Sequence, residues 1–159
     1  MITFREAAAA DKPALINLIV LLQDEEKIFE PIYLPGKEIA EEHVNEIIES
    51  INGKEGKVIL ALSNIEIIGL IGIWRNEELD DYLSEPKEIC IITDLIVKKD
   101  LRDKGIGGML VKEAEKYALG IGLNYIKVAV LSRNYRAKEL YQKLGYRDYT
   151  TELVKKIIR

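Results

Sequence analysis

Cysteine occurs once in these 159 residues, at Cys90, and histidine once, at His43. A lone thiol rules out an internal disulfide and any multi-thiol metal site, and no metal is expected. Long apolar runs are missing too. The longest, around Leu15 to Leu22, falls well short of the ~18 residues of a spanning helix and sits behind Asp11, Lys12 and Pro13. No membrane association is therefore expected. Met1 leads straight into Ile2-Thr3-Phe4-Arg5, without the charged head and apolar body of a secretory signal. Together with the lone thiol this predicts a cytoplasmic protein. Positive charge is not in excess either: 23 Lys and Arg stand against 27 Asp and Glu, a net charge of −4. General nucleic-acid binding, which needs many cation–phosphate contacts, is disfavoured.

What is present suffices for one domain over residues 1–159, since domains commonly run to roughly 100–200 residues. Hydrophobic residues make up 48% and charged residues 31%, enough for one core and a wetted surface. Ile2 to Arg5 alternates like a strand. Asp11 is placed to cap a helix from Lys12 to Gln23, with Pro13 in its first turn. Lys27 to Gly36 holds Pro31 and Pro35 and reads as a loop, and Lys37 to Ile51 as a second, more polar helix. His43 lies on that polar helix and reads as a surface residue. Lys57 to Ser63 and Ile65 to Trp74 form an antiparallel hairpin about Ser63-Asn64. Arg75 to Lys87 is an acidic loop, Glu88 to Val97 a strand, Gly107 to Leu119 a helix, Tyr125 to Leu131 a strand and Asn134 to Leu144 a helix. Tyr146 to Tyr149 and Leu153 to Ile158 suggest a last hairpin. This order describes an α/β (α+β) chain, with about four helices around a single mixed sheet, mostly antiparallel.

Chemistry concentrates after Val97, where Lys98-Lys99-Asp100-Leu101-Arg102-Asp103-Lys104-Gly105-Ile106-Gly107-Gly108 joins a strand to a helix. Glycine accepts the positive φ that turns successive N–H groups into an anion-binding concavity, and the helix N-terminus adds free donors and the positive end of its dipole. Arg102 and Lys104 bring positive charge. A phosphate or pyrophosphate site follows. The Walker pattern does not fit, because Gly107 is followed by Gly108-Met109 rather than Lys and a hydroxyl residue. The dinucleotide fingerprint does not fit either, since Leu110 stands where its third glycine belongs.

The pattern Arg102-x-x-Gly105-x-Gly107, after Leu95-Ile96-Val97, resembles the acyl-CoA-binding motif of the GNAT superfamily of N-acetyltransferases. A second block, Asn134-x-x-Ala137-x-x-x-Tyr141-x-x-x-Gly145-Tyr146, is similar to that superfamily's second motif, with Tyr146 in place of Phe. The element order matches along nearly the whole chain. The resemblance implies a GNAT-like acyl-CoA N-acyltransferase fold with a splayed parallel pair of strands. It implies that acetyl-CoA donates the acetyl group, its pyrophosphate held by the N–H groups of Asp103, Lys104, Gly105, Ile106, Gly107 and Gly108. Leu95, Ile96 and Val97 would pair with the pantetheine arm like an added strand, Asn134 would hydrogen-bond it, and Ala137 would pack beside it. Tyr141 would stand next to the sulfur. Helical geometry independently puts Asn134, Ala137 and Tyr141 on one face.

Acetyl transfer to an amine needs an oxyanion donor, a proton for the thiolate and an acceptor for the amine's proton. Backbone N–H groups near Leu95 or Val97 suit the first, and the Tyr141 phenol the second. For the third, family members often place a glutamate on the strand before the glycine segment; here Asp94 and Glu88 are the acids available, with Thr93 as a water-holder. The expected partners are acetyl-CoA and an amine-bearing acceptor, with a homodimer open. The alternative is a non-catalytic acyl-CoA-binding sensor or regulatory module.

Overall fold

A computed structural model describes residues 1–53, 56–78 and 87–157. In chain order the elements are β1 (Ile2–Glu6), α1 (Lys12–Phe29), α2 (Gly36–Gly53), β2 (Gly56–Ser63), β3 (Glu66–Glu78), β4 (Lys87–Val97), α3 (Ile106–Gly120), β5 (Ile126–Val128) and α4 (Tyr135–Lys143). Among the described residues the strands make one sheet in the order β1-β2-β3-β4-β5. The first three pairings are antiparallel and β4–β5 is parallel. The mixed, mostly antiparallel sheet with helices on both faces agrees with the expectation.

Period-two alternation along the strands divides the core between the two faces. Leu60, Leu62, Leu70 and Ile96 face α1 and α2, meeting Leu15, Leu18, Ile19, Val44 and Ile47. Ile59, Ile71, Ile73, Cys90 and Ile92 face the other way, onto Leu110, Val111 and Ala114 of α3. Cys90 is buried there, and burial pushes its thiol up to about 11, as suits a core residue rather than a nucleophile.

Several local readings need correction. The first helix does not stop at Gln23 but runs to Phe29. Nothing before Pro31 breaks it, and the residue before that proline, Glu30, is extended at φ −130°. Asp11 sits at the N-cap position of α1, yet its carboxylate turns back to the Ala8 N–H at 2.8 Å and to the Arg5 guanidinium at 2.7 and 2.8 Å. The β2–β3 hairpin forms as expected, with Asn64 at φ 55° in its turn. The expected last hairpin is not formed among the described residues, for 144–157 hold no strand. Thr150-Thr151-Glu152 offers no glycine or asparagine for a tight hairpin turn, and Leu153, Val154 and Ile157 lie exposed. Most of the acidic run, residues 79–86, lies outside the described residues.

Candidate active site

The parallel pairing of β4 with β5 is short: Cys90, Ile91 and Ile92 match Ile126, Lys127 and Val128, and there it ends. Beyond Ile92, β4 pairs with β3 alone among the described residues. Lys98 N–H donates to Ile68 O, and Leu70 opposes Ile96. Antiparallel alternation then turns the N–H and C=O of Ile96 to β3, and those of Leu95 and Val97 away from it. The expected three-residue pairing edge therefore reduces to Leu95 and Val97. Even there, Val97 O is taken by Arg102 Nε at 2.7 Å.

Arg102, expected at the phosphate site, donates from Nε to Val97 O and pairs through Nη1 with Glu25 Oε1 of α1 at 2.6 Å, while its Nη2 has no hydrogen-bond partner. Arg102 thereby fastens the loop to the end of β4 and to the first helix. The backbone of the glycine segment has its own pattern. Asp103 at φ 61° and Gly105 at φ 78° both occupy the left-handed region, with Gly105 at the N-cap of α3. Such alternation gathers N–H groups on one side. Met109 N–H, bonded to Gly105 O at 3.0 Å, is the first to enter the helical ladder. The N–H groups of Ile106, Gly107 and Gly108 thus have no intrahelical acceptor. Lys104 is exposed nearby, its Nζ 3.4 Å from Asp100 O.

The second motif docks on the first. Leu140 of α4 lies over Gly107 and Gly108, and Arg136 Nη2 sits 3.0 Å from Asp103 Oδ1. Asn134 is the N-cap of α4: its Oδ1 accepts from Ala137 N–H at 3.1 Å, which leaves the side-chain amide N–H groups for a ligand. One turn on, Tyr141 is 5% exposed and lies in the α3-side core. Its ring meets Tyr146 edge-on, the centroids 5.2 Å apart. Burial raises the Tyr141 phenol well above its ordinary value of 10.0, so it holds its proton at neutral pH.

The other sheet face carries Asp94, an acid the sequence offered but whose facing it concealed. Gly72 opposes Asp94 while Ile73 opposes Ile92, so Thr93 is an extra, bulged residue on β4. A one-residue slip exchanges the faces of everything beyond it. Cys90 and Ile92 face α3, and strict alternation would send Asp94 there too. The bulge instead delivers Asp94 to the α1/α2 face, above Gly72. A Cβ on Gly72 would stand 2.6 Å from Thr93 Oγ1 and 2.8 Å from Asp94 Oδ2, so only glycine fits.

Asp94 is 6% exposed and hydrogen-bonded twice. Thr93 Oγ1 donates to Oδ2 at 2.6 Å, and His43 Nε2 lies 2.9 Å from Oδ1. His43 is therefore not a bland surface residue. Its imidazole is raised above 6.5, first by the hydrogen bond to Asp94, with burial opposing. Both line a recess of roughly 140 Å³ between α1, α2 and β4, along with Glu26 and the apolar Ile19, Leu22 and Ile39. Burial, then the Asp94 charge, raises the Glu26 carboxyl, with His43 opposing. Glu88, the other acid considered on β4, instead pairs with Arg75. Trp74 joins the α1/α2 core and donates from Nε1 to Ser50 Oγ at 2.8 Å.

Residues 20–146 match the model of the acetyltransferase (GNAT) family. The chain belongs to that family. The thialysine N-epsilon-acetyltransferase of Bos taurus is 39% identical to this GNAT chain over 59 residues, 37% of the chain and 35% of the relative. The uncharacterized N-acetyltransferase YhfO of Bacillus subtilis is 29% identical over 100 residues, 63% of the chain and 64% of the relative. The matches thus span about a third of the bovine relative's length and just under two thirds of the Bacillus one. A tetramutant of the BH1408 protein from Bacillus halodurans superposes with a TM-score of 0.83 at 19% identity, over 98% of this chain and 99% of that one. A predicted acetyltransferase with acetyl-CoA from Clostridium acetobutylicum reaches 0.78 at 18% identity, over 98% and 96%. Among the described residues no helix is long and apolar enough to cross a membrane.

Proposed function

We propose that the protein moves the acetyl group of acetyl-CoA to a primary amine of a small molecule or peptide by direct transfer. The observation that carries this reading is the β4 edge that β5 does not cover, at Leu95 and the N–H of Val97, running from the glycine segment at one end to Asp94 at the other. The donor groups suit acetyl-CoA. A backbone concavity at Asp103–Gly108 matches a pyrophosphate, an unpaired strand edge matches an amide-bearing arm, and the Asn134 amide adds a side-chain donor. A bovine relative named for acetylating a thialysine nitrogen supports an amine as acceptor.

Bound acetyl-CoA supplies an activated thioester carbonyl. The chain does the rest. Leu95 and Val97 orient the arm, and a free N–H on that edge is positioned to stabilise negative charge on the carbonyl oxygen. Tyr141, from the α3 side of the sheet, donates its phenolic proton to the departing sulfur. Asp94, from the α1/α2 side, anchors the place where the amine gives up its own proton.

The test is direct. Acetyl-CoA should raise the melting temperature of the purified protein where ATP does not, and thiol release should appear across a panel of primary amines. Stabilisation by ATP alone would refute the reading. Stabilisation by acetyl-CoA with no turnover on any amine or peptide would favour the sensor.

A further inference from the structure

Asp94 is less open to an amine than His43, because it is 6% exposed and each of its oxygens already accepts a hydrogen bond. Oδ1 faces His43 Nε2 at 2.9 Å and Oδ2 accepts from Thr93 Oγ1 at 2.6 Å. His43 is differently placed. Its Nε2 is anchored on Asp94, while Nδ1 stands 3.8 Å from Glu46 Oε2, beyond hydrogen-bonding distance. The bond to Asp94 assigns the ring proton to Nε2 and leaves the lone pair on Nδ1. About a third of the side chain is exposed, at the recess that also holds Thr93 and Asp94.

We propose that His43 is the proton acceptor of the transfer, with Asp94 as the positioning residue that fixes its ring and tautomer. The inference rests on the acetyltransferase reading. In the step, the neutral amine nitrogen bonds to the thioester carbonyl carbon and the carbon–sulfur bond breaks. The proton released by nitrogen goes to His43 Nδ1, and the sulfur takes the proton of Tyr141. Solvent then returns a proton to Tyr141 and removes one from His43, so the protein ends as it began.

The surroundings suit a base that works near neutrality. Asp94 from β4, Glu26 from α1 and Glu46 from α2 all face His43, and all three carboxylates favour its cationic form. The apolar walls at Ile19, Leu22 and Ile39 leave a recess of roughly 140 Å³. A cavity of about 150 Å³ takes a benzene-sized group, so a short alkylamine fits. n-Butylamine is accordingly the probe.

Because His43 is the sole histidine, its imidazole can be followed by NMR without ambiguity. In the unliganded protein it should titrate above 6.5, and Asp94→Asn should move that titration down. His43→Gln should keep its stabilisation by acetyl-CoA, lose roughly 100-fold in kcat for n-butylamine and lose the acidic limb of the pH profile. A wild-type imidazole titrating at or below 6.5 overturns the pairing, whatever the variants do. An unchanged kcat or an unchanged acidic limb in His43→Gln overturns the assignment of the base. No stabilisation of the wild type by acetyl-CoA is a different failure, that of the acetyltransferase reading itself.

Discussion

His43 Nε2 lies 2.9 Å from Asp94 Oδ1, joining the middle of α2 to a bulge in β4 across 51 positions of sequence. This contact gives the pair opposite effects on stability and on turnover. His43 is raised in the folded state, so its contribution to stability is complete below the unfolded value of about 6.5. That contribution is lost as pH rises through the folded value. Turnover needs the neutral ring and should rise over the same window. Urea unfolding from pH 5.5 upward should therefore show falling stability where kcat climbs, and His43→Gln should remove both slopes.

Gly72 underlies the acceptor face through shape alone. Gly72→Ala drives a methyl into Thr93 Oγ1 and Asp94 Oδ2. Overpacking of this kind costs about 1–3 kcal/mol, measurable by urea titration. Acetyl-CoA should still stabilise the variant, since the cradle is remote, while amine turnover drops. Weakened acetyl-CoA binding with intact turnover would contradict the division of the site between the two faces.

Gly105 is the corresponding test of the donor side. At φ 78° a Cβ meets backbone strain of about 1–2 kcal/mol, which Gly105→Ala should show as lost stability. The larger effect should be on acetyl-CoA, whose stabilising shift should shrink. The NMR titration of His43 should not move.

Tyr141→Phe removes a hydroxyl and keeps the ring against Tyr146. Acetyl-CoA binding should be unchanged and kcat should fall roughly 100-fold. Because burial holds the phenol above 10.0, deprotonation of Tyr141 should impose no alkaline limb below about pH 10. Full turnover in the variant would remove Tyr141 from the chemistry.

Asn134→Ala deletes the cap on Ala137 N–H and should cost about 1 kcal/mol. If the Asn134 amide also holds the donor, the KM for acetyl-CoA should rise more than that of the amine. An unchanged KM would leave Asn134 as a helix cap only.

The determinants of the proposed donor half are local, and so legible in the sequence. The strand ending at Val97, the glycines that follow and the first turn of α3 occupy one short stretch, where φ preferences and free N–H groups follow from neighbours in sequence. The Asn134, Ala137 and Tyr141 face likewise follows from helical period. The pairing of Arg102 with Glu25 is not legible there, because sequence spacing does not show which way a guanidinium turns.

The acceptor half depended on tertiary structure. Asp94 was visible as an acid on the right strand, but its face depends on whether β4 pairs evenly with β3. One extra residue at Thr93 decides that, and a bulge leaves no mark in a run of Ile, Thr and Leu. His43 sits among Glu41, Glu42 and Glu46 on a polar helix and looks solvated until α2 is laid against that bulge. By itself, the sequence determined the strand, glycines and helix start on which the proposed phosphate cradle rests, because such a cradle is built from consecutive backbone groups. Which carboxylate meets which imidazole was decided by the packing of helix against sheet, because that contact exists only once distant segments are brought together.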